Sequence, residues 1–163
     1  LTSNDHDHWP AVWLMPIEHN GRQEDSPAGG QRGEPGDSMK FERWMELDVD
    51  EGGFGPGLTG TVHNWTGVYP KYHNTQNGNN VVNATLDRTV YHTYGASYDP
   101  KTQTVAWWLD GVKLIETAED VPTIAAHQNF YLIVSCQSHL GVDKGDNYLM
   151  FVRRVRAFVP PEQ

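Results

Sequence analysis

The stretch that organises this chain is RWMELDVDE at residues 43–51, in which carboxylates alternate with apolar side chains. Strand side chains point to opposite faces with a period of two. One face would then be aliphatic and suited to a core: Met45, Leu47 and Val49. The other face would carry one ring and three carboxylates: Trp44, Glu46, Asp48 and Asp50. The pattern predicts a half-buried strand with an acidic face.

An acidic strand face of this kind suits glycoside hydrolysis. Neighbouring carboxylates cannot ionise independently, so each shifts the pKa of the next. Glycoside hydrolysis needs one carboxylate that attacks or stabilises and a second that is kept protonated as general acid. A solvated surface strand is the alternative interpretation of the same pattern.

Glu51 does not fit the simple alternation. It lies five residues after Glu46, so a regular strand would aim it at the core. Either it is the exposed end of the strand, or a β-bulge near Val49 and Asp50 returns it to the acidic face. Bulges are common beside active sites because they re-aim a side chain. The glycines at 52 and 53 would let the chain bend.

The six residues from Glu46 to Glu51 resemble the Glu-x-Asp-x-x-Glu signature of glycoside hydrolase family 16. Members of that family are β-jelly-roll endo-glycanases that act on β-linked polysaccharides such as β-1,3-glucans, agar and carrageenan. The resemblance implies that Glu46 is the nucleophile, Glu51 the acid/base and Asp48 the modulator between them. Asp50 departs from the family, which usually has an apolar residue there, and we expect it to add a charge beside the acid.

The flanking segments extend this resemblance across nearly the whole chain. Residues 9–16 (WPAVWLMP) resemble the strand that precedes the catalytic one and packs beside it, and 58–65 resemble the next strand. Residues 91–98 and 104–109 are also expected to be strands, and Asp110–Gly111 predicts a type I′ hairpin into 112–115. Residues 130–137 and 148–159 resemble the strand that closes the cleft and the final strand.

Three side chains are expected to line the substrate cleft: Trp44, His63 and Trp65. Trp44 has the parity of Glu46, and the other two lie on the presumed neighbouring strand. A flat ring offers an apolar face to the C–H face of a sugar. Weaker candidates for sugar contacts follow from the same argument or from the cleft-closing strand: Tyr69, Tyr72, His73, Gln137 and His139.

Short strands, turn signals and almost no helical period predict an all-β, antiparallel β-sandwich. The resemblance implies that it is a jelly roll and that residues 1–163 form one partial catalytic domain. The family has several strands ahead of the segment that resembles 9–16, so we expect a second polypeptide to cover the exposed edges. Residues 17–40 and 68–82 are expected to be long loops.

The composition of the chain limits the classes of partner that we expect. The 163 residues carry a formal net charge of -9, which argues against a nucleic-acid partner and fits a neutral sugar polymer. No apolar run reaches about 18 residues, so no membrane span is expected. The single cysteine, Cys136, excludes an internal disulfide framework and is expected to be buried. We expect a secreted or extracellular protein.

No cofactor or metal is expected. The DHDH sequence at residues 5–8 is more typical of a solvated terminus than of a metal site, which needs fixed geometry. The resembling family often places an Asp in its final strand as a ligand for structural calcium. Arg153 or Arg154 stands at about that place here, which argues against calcium.

Two other functions remain as alternatives. One is a non-catalytic carbohydrate-binding or structural module on the same fold, for example in a surface or spike assembly, with a vestigial acidic strand. The other is a polysaccharide lyase, which would need a cationic side chain to neutralise the carboxylate of a uronate. This acidic cleft lacks such a side chain. Fold alone does not choose among them. The intact set of Glu46, Asp48 and Glu51 favours the enzyme.

Overall fold

The computed structural model describes residues 9–17, 42–54, 57–68, 71–76, 80–83, 86–137 and 149–159, and in these ranges the chain is nearly all β. The larger sheet contains six strands: β1 (Trp9–Pro16), β2 (Glu42–Glu51), β3 (Leu58–Val68), β4 (Lys71–Gln76), β5 (Asn80–Asn83) and β9 (Phe130–Gln137). The smaller sheet contains β6 (Tyr94–Asp99), β7 (Thr104–Leu109) and β8 (Val112–Thr117). A short 3-10 helix, Thr123–His127, precedes β9.

The acidic strand β2 lies inside the larger sheet. The order is β4-β3-β2-β1-β9, with every neighbouring pair antiparallel, and β5 pairs with the start of β3. The predicted neighbours of the acidic strand are therefore confirmed, because β1 pairs with one edge of β2 and β3 with the other. In the smaller sheet the order is β6-β7-β8.

The two sheets share one apolar core. Met45 and Leu47 from β2 pack with Val105 and Trp107 from β7 in a single buried cluster. The fully buried indole of Trp107 donates a hydrogen bond to the carbonyl oxygen of Asp48 at 2.8 Å. Trp108 lies on the other face and is only half-buried, as the alternation predicts. The predicted antiparallel sandwich is confirmed, whereas the jelly-roll topology stays a prediction.

Close approach of the sheets depends on a glycine in β3. A Cβ atom added to Gly60 would lie 2.1 Å from Nε1 of Trp107 and so overlap its indole. Because Trp107 is fully buried, its ring has no free volume to enter. Gly60 therefore sets how closely β3 and β7 pack.

A side chain completes the hydrogen bonding of β2 where β1 no longer pairs with it. The β1–β2 register runs from Ala11 opposite Glu51 to Leu14 opposite Leu47. Beyond that point Gln128 accepts a hydrogen bond from the Met45 amide at 3.2 Å and donates one to the Arg43 carbonyl at 3.1 Å. Buried backbone groups must be paired, and Gln128 supplies the partners that a strand would otherwise give.

The predicted hairpin is confirmed, but the strand predicted before it is partly wrong. Asp110 and Gly111 both have positive φ, 51° and 83°, as a type I′ turn requires. The strand expected over 91–98 begins only at Tyr94. Thr93 instead pairs with the turn, since its amide donates to Oδ1 of Asp110 at 2.8 Å and its carbonyl accepts from the Asp110 amide at 2.9 Å.

Three further expectations are wrong. Residues 68–82 include β4 and β5 rather than one long loop, because β3 is long enough to pair with both strands and the outward side chains of β4 can stay polar. Cys136 is exposed although it has the parity of Phe130, which packs against the core, because β9 is the edge strand of the sheet as described. The described part of the expected final strand, 149–159, forms no strand and is exposed apart from Met150.

Several expectations lie outside the described residues: the DHDH sequence, residues 18–40 of the first expected loop, Tyr69, His139 and the side chain of Gln137. Across the described ranges, no helix has the length and apolar character needed to cross a membrane.

Candidate active site

A β-bulge at Val49 shapes the acidic strand. Val12 lies opposite Asp50, whereas the next residue of β1, Trp13, lies opposite Asp48, so Val49 is the extra residue. Of the two arrangements that the sequence leaves open for Glu51, the β-bulge is therefore the one present. Beyond it the alternation is reversed, which returns Glu51 to the side of Asp48. There the Trp9 indole N–H donates to Oε1 of Glu51 at 2.9 Å.

The same bulge turns Asp50 inward, so the expectation that Asp50 lies on the acidic face is wrong. Asp50 is buried and forms a bidentate ion pair with Arg88, with N–O distances of 2.5 and 2.9 Å. It also accepts a hydrogen bond from the Thr59 amide at 3.3 Å. Its charge is therefore balanced within the protein and is not simply added beside Glu51.

Glu46 and Asp48 meet His63 on the cleft side of the larger sheet. His63 lies directly opposite Glu46 in the β2–β3 register, and its Nε2 is 2.9 Å from Oδ2 of Asp48. Ligand atoms of Glu46, Asp48 and His63 all lie within 4.8 Å of one another. This spacing could accommodate a metal ion, but the hydrogen bond between His63 and Asp48 already accounts for it, so we assign no metal here.

The two outer carboxylates hold protons more tightly than ordinary glutamates. Burial, followed by the charge of Asp48, raises the pKa of Glu46 to about 7. The hydrogen bond that the Trp65 indole donates to Oε2 of Glu46, at 2.6 Å, opposes this shift. Burial and the charge of Asp48 also raise the pKa of Glu51. Glu46 and Glu51 each interact electrostatically with Asp48 and His63, so the face titrates as one coupled group.

His63 is held between Asp48 and Asn74. Burial lowers the pKa of His63, but the hydrogen bond and charge of Asp48 outweigh it, so the pKa is raised overall. Nδ1 of the ring is 2.8 Å from the side-chain nitrogen of Asn74 on β4. Asn74 is not among the site residues that the sequence predicts, because residues 68–82 are expected to be a loop. Its shared parity with Tyr72, which contacts Trp44, could have indicated it.

The predicted substrate-binding side chains come together beside the carboxylates. Trp44 lies opposite Trp65, and their rings stack with centroids 5.7 Å apart at 10°. Tyr72 meets Trp44 edge-on at 4.7 Å. Trp44 is only 3% exposed, so its ring supports the other two rings. The rings of Trp65 and Tyr72 are half-buried, and a sugar could reach them. His73 is exposed and has the opposite parity on β4.

Comparison of the chain with protein-family models, curated proteins and solved structures found no match.

Proposed function

We propose that this protein is a retaining endo-β-glycosidase that hydrolyses a β-linked polysaccharide, such as a β-1,3-glucan or an agar-like glycan. The observation that carries the proposal is the bulge at Val49, which returns Glu51 to the face that holds Glu46 and Asp48. Burial and mutual charge on that face raise the pKa values of both glutamates. Two carboxyl groups with perturbed pKa values on one face are what acid–base hydrolysis of a glycoside needs.

The proposed chemistry is a double displacement. Glu51 donates its proton to the glycosidic oxygen while Glu46 attacks the anomeric carbon and forms a glycosyl–enzyme ester. Glu51 then removes a proton from water, which hydrolyses the ester and restores the starting configuration. Asp48, bound to His63, contributes to the raised pKa of each glutamate through its charge.

The resting position of the proton matters for this mechanism. A pKa of about 7 leaves Glu46 largely protonated below neutral pH, although a nucleophile must be ionised. The Trp65 indole and His63 both favour the ionised form of Glu46. We therefore propose that the active form has Glu46 ionised and Glu51 protonated, because burial and the charge of Asp48 raise the pKa of Glu51 more than the Trp9 hydrogen bond lowers it. Such a form exists over a limited pH interval, so the rate should have a bell-shaped pH profile.

The proposed substrate is a neutral polymer. The formal net charge of -9 would repel a strongly acidic glycan. The half-buried rings of Trp65 and Tyr72 flank the carboxylates and suit the apolar face of a sugar.

The test is release of reducing ends from a panel of β-glucans, agars and carrageenans. We expect hydrolysis of at least one neutral member with initial retention of anomeric configuration, followed by proton NMR. Glu46→Gln and Glu51→Gln should each lower kcat by about 10²–10⁴-fold. Glu119→Gln removes an exposed carboxylate outside the site and is the matched control. Wild-type rates in both site variants would contradict the assignment.

Carbohydrate binding without hydrolysis is the second candidate. The stacked Trp44–Trp65 pair with Tyr72 favours it, because such an aromatic cluster can hold a sugar with or without catalysis. Calorimetry with the same glycans distinguishes the two. Binding that Trp65→Ala abolishes, with no reducing ends released by the wild-type protein, would support the binding module.

A further inference from the structure

Asp50 and Arg88 form a buried ion pair directly beside the bulge. Their residues are only 4% and 6% exposed. Arg88 also donates to the carbonyl oxygen of Gly57 at 2.7 Å, and its guanidinium lies 5.9 Å from the centre of the Tyr94 ring. The pair therefore joins the end of β2 to the start of β3 and to the segment before β6.

The end of β2 has two alternative arrangements. In a regular strand Asp50 would join Glu46 and Asp48 on the acidic face, and Glu51 would point into the core. In the bulged strand Asp50 points inward and Glu51 points to the acidic face. An inward carboxylate is costly unless a charge or hydrogen bonds compensate it. Arg88 and the Thr59 amide supply that compensation only in the bulged arrangement.

We propose that Arg88 is a positioning residue, which pairs with Asp50 to hold the bulge at Val49 and so keeps Glu51 on the face of Glu46 and Asp48. Its effect on catalysis rests on the proposed function, but its effect on the strand does not. Two contacts between β1 and the end of β2 are also consistent with the bulged arrangement. The Trp9 indole holds Glu51, and the Gly52 amide donates to the Pro10 carbonyl at 2.7 Å.

Two variants separate charge compensation from simple loss of a contact. Arg88→Met leaves the Asp50 carboxylate buried without its cation, so Asp50 should turn outward and take the strand end with it. Asp50→Leu/Arg88→Met places two apolar side chains beside Tyr94, which packs against the neighbouring apolar cluster of Leu58, Leu86 and Leu109. Leu prefers the inward position, so the double variant should keep the bulge without any ion pair.

The experiment follows the Trp9 indole N–H resonance and the titration of the Glu51 carboxyl group by NMR. The Trp9 signal reports its hydrogen bond to Glu51. Arg88→Met should shift that signal and move the pKa of Glu51 towards its ordinary value, and the double variant should restore both. Lys113→Met, which breaks an exposed ion pair with Glu116 on β8, should change neither.

A folded Arg88→Met protein with native Trp9 and Glu51 signals overturns the proposal, as does a folded double variant that has lost them. If Arg88→Met does not fold, the double variant decides alone: native signals support the proposal, and lost signals overturn it. Where hydrolysis is measurable, Arg88→Met should lower kcat on the order of 10²-fold with little change in KM. A wild-type protein with no activity would refute the proposed function but leave the NMR result decisive for Arg88.

Discussion

Nε2 of His63 lies 2.9 Å from Oδ2 of Asp48, so one imidazole contacts the carboxylate that stands between the two proposed catalytic glutamates. The ring's other nitrogen is held by Asn74. An amide can donate to a neutral ring nitrogen or, after rotation, accept from a protonated one. Asn74 can therefore keep the ring in place in both protonation states.

Replacing Asn74 should change the titration of His63. Asn74→Asp would place a second carboxylate against Nδ1 and raise the pKa of His63 further. Asn74→Leu removes the contact and should broaden the ring signals. Nitrogen-15 NMR of the imidazole measures both effects. Thr75→Val is the control, because its hydroxyl group contacts Asp120 rather than His63. An unchanged His63 titration in Asn74→Asp would contradict the prediction.

Replacing Glu46 should stabilise the protein at neutral pH. A raised pKa means that the folded state binds the proton more tightly than the unfolded state, so wild-type stability falls as pH rises from 4.5 to about 7. Glu46→Gln lacks this penalty and can still accept the Trp65 hydrogen bond. Relative to wild type, its free energy of unfolding should rise over that interval on the order of 2 kcal/mol, less than the full shift because the site is partly solvated.

Urea unfolding at a series of pH values measures the difference. Glu119→Gln provides the baseline for an exposed carboxylate. A Glu46→Gln difference that stays constant with pH would show that Glu46 titrates normally in the folded protein.

His92 should stabilise the fold mainly at acid pH. Its Nδ1 is 2.8 Å from Asp110 and its Nε2 is 2.9 Å from the carbonyl oxygen of Asp87, so both nitrogens face acceptors. The hydrogen bond to Asp110 raises the pKa of His92. The stabilisation is complete below the unfolded pKa of about 6.5 and is lost as pH rises through the higher folded value. His92→Leu should therefore destabilise more at pH about 5.5 than at pH about 8.5, by less than about 1 kcal/mol because the pair is exposed.

The matched control is His127→Leu, at the exposed end of the 3-10 helix. Thermal unfolding at both pH values gives the comparison. Equal losses at the two values for His92→Leu would mean that the charged imidazole is not what holds the hairpin.

Gly60→Ala should destabilise the sandwich by displacing the indole of Trp107. The new methyl group would overlap the Trp107 ring, and overpacking of this kind costs about 1–3 kcal/mol. Gly95→Ala in β6 is the control, since its Cβ would meet only Trp108 at an ordinary 3.5 Å. Chemical denaturation measures both, and equal stability of the two variants would contradict the packing argument.

The isolated chain is predicted not to be a compact monomer. In the described part of the chain β9 pairs only with β1, and three of its apolar side chains are exposed: Tyr131, Leu132 and Val134. Exposed edges of this kind promote association. We predict that another polypeptide covers this edge with further strands. Size-exclusion chromatography with light scattering tests this, and a monodisperse 18.4 kDa monomer with cooperative unfolding would refute it.

The sequence predicts elements well where one local rule acts. Alternation identifies β2, and the Asp110–Gly111 pair identifies the hairpin because positive φ at both positions suits these residues. The bulge is one of the two arrangements that the sequence leaves open for Glu51, the other being an exposed strand end. Prediction from the sequence fails where the interacting residues are distant in sequence. Asp50 points inward, where it pairs with Arg88, 38 residues away in sequence. No local sequence pattern predicts this ion pair.

A polar composition also gives a wrong prediction of secondary structure. The Asn-rich stretch that includes Asn74 resembles a loop, yet β4 forms because β3 offers it an edge to pair with. The opposite error occurs at 149–159, where the resemblance predicts a final strand although no described strand lies beside these residues to complete the hydrogen bonds.

The hydrogen bond from the Trp107 indole to the Asp48 carbonyl ties the floor of the acidic face to the deepest part of the core. That peptide group cannot open to solvent unless the two sheets separate. Backbone amides on either side of Asp48 should therefore exchange with deuterium at the rate of global unfolding, whereas amides on the exposed rim of β4 should exchange much faster. A substrate would meet a rigid floor bordered by a faster-opening rim, so changes in shape during binding should be confined to the rim.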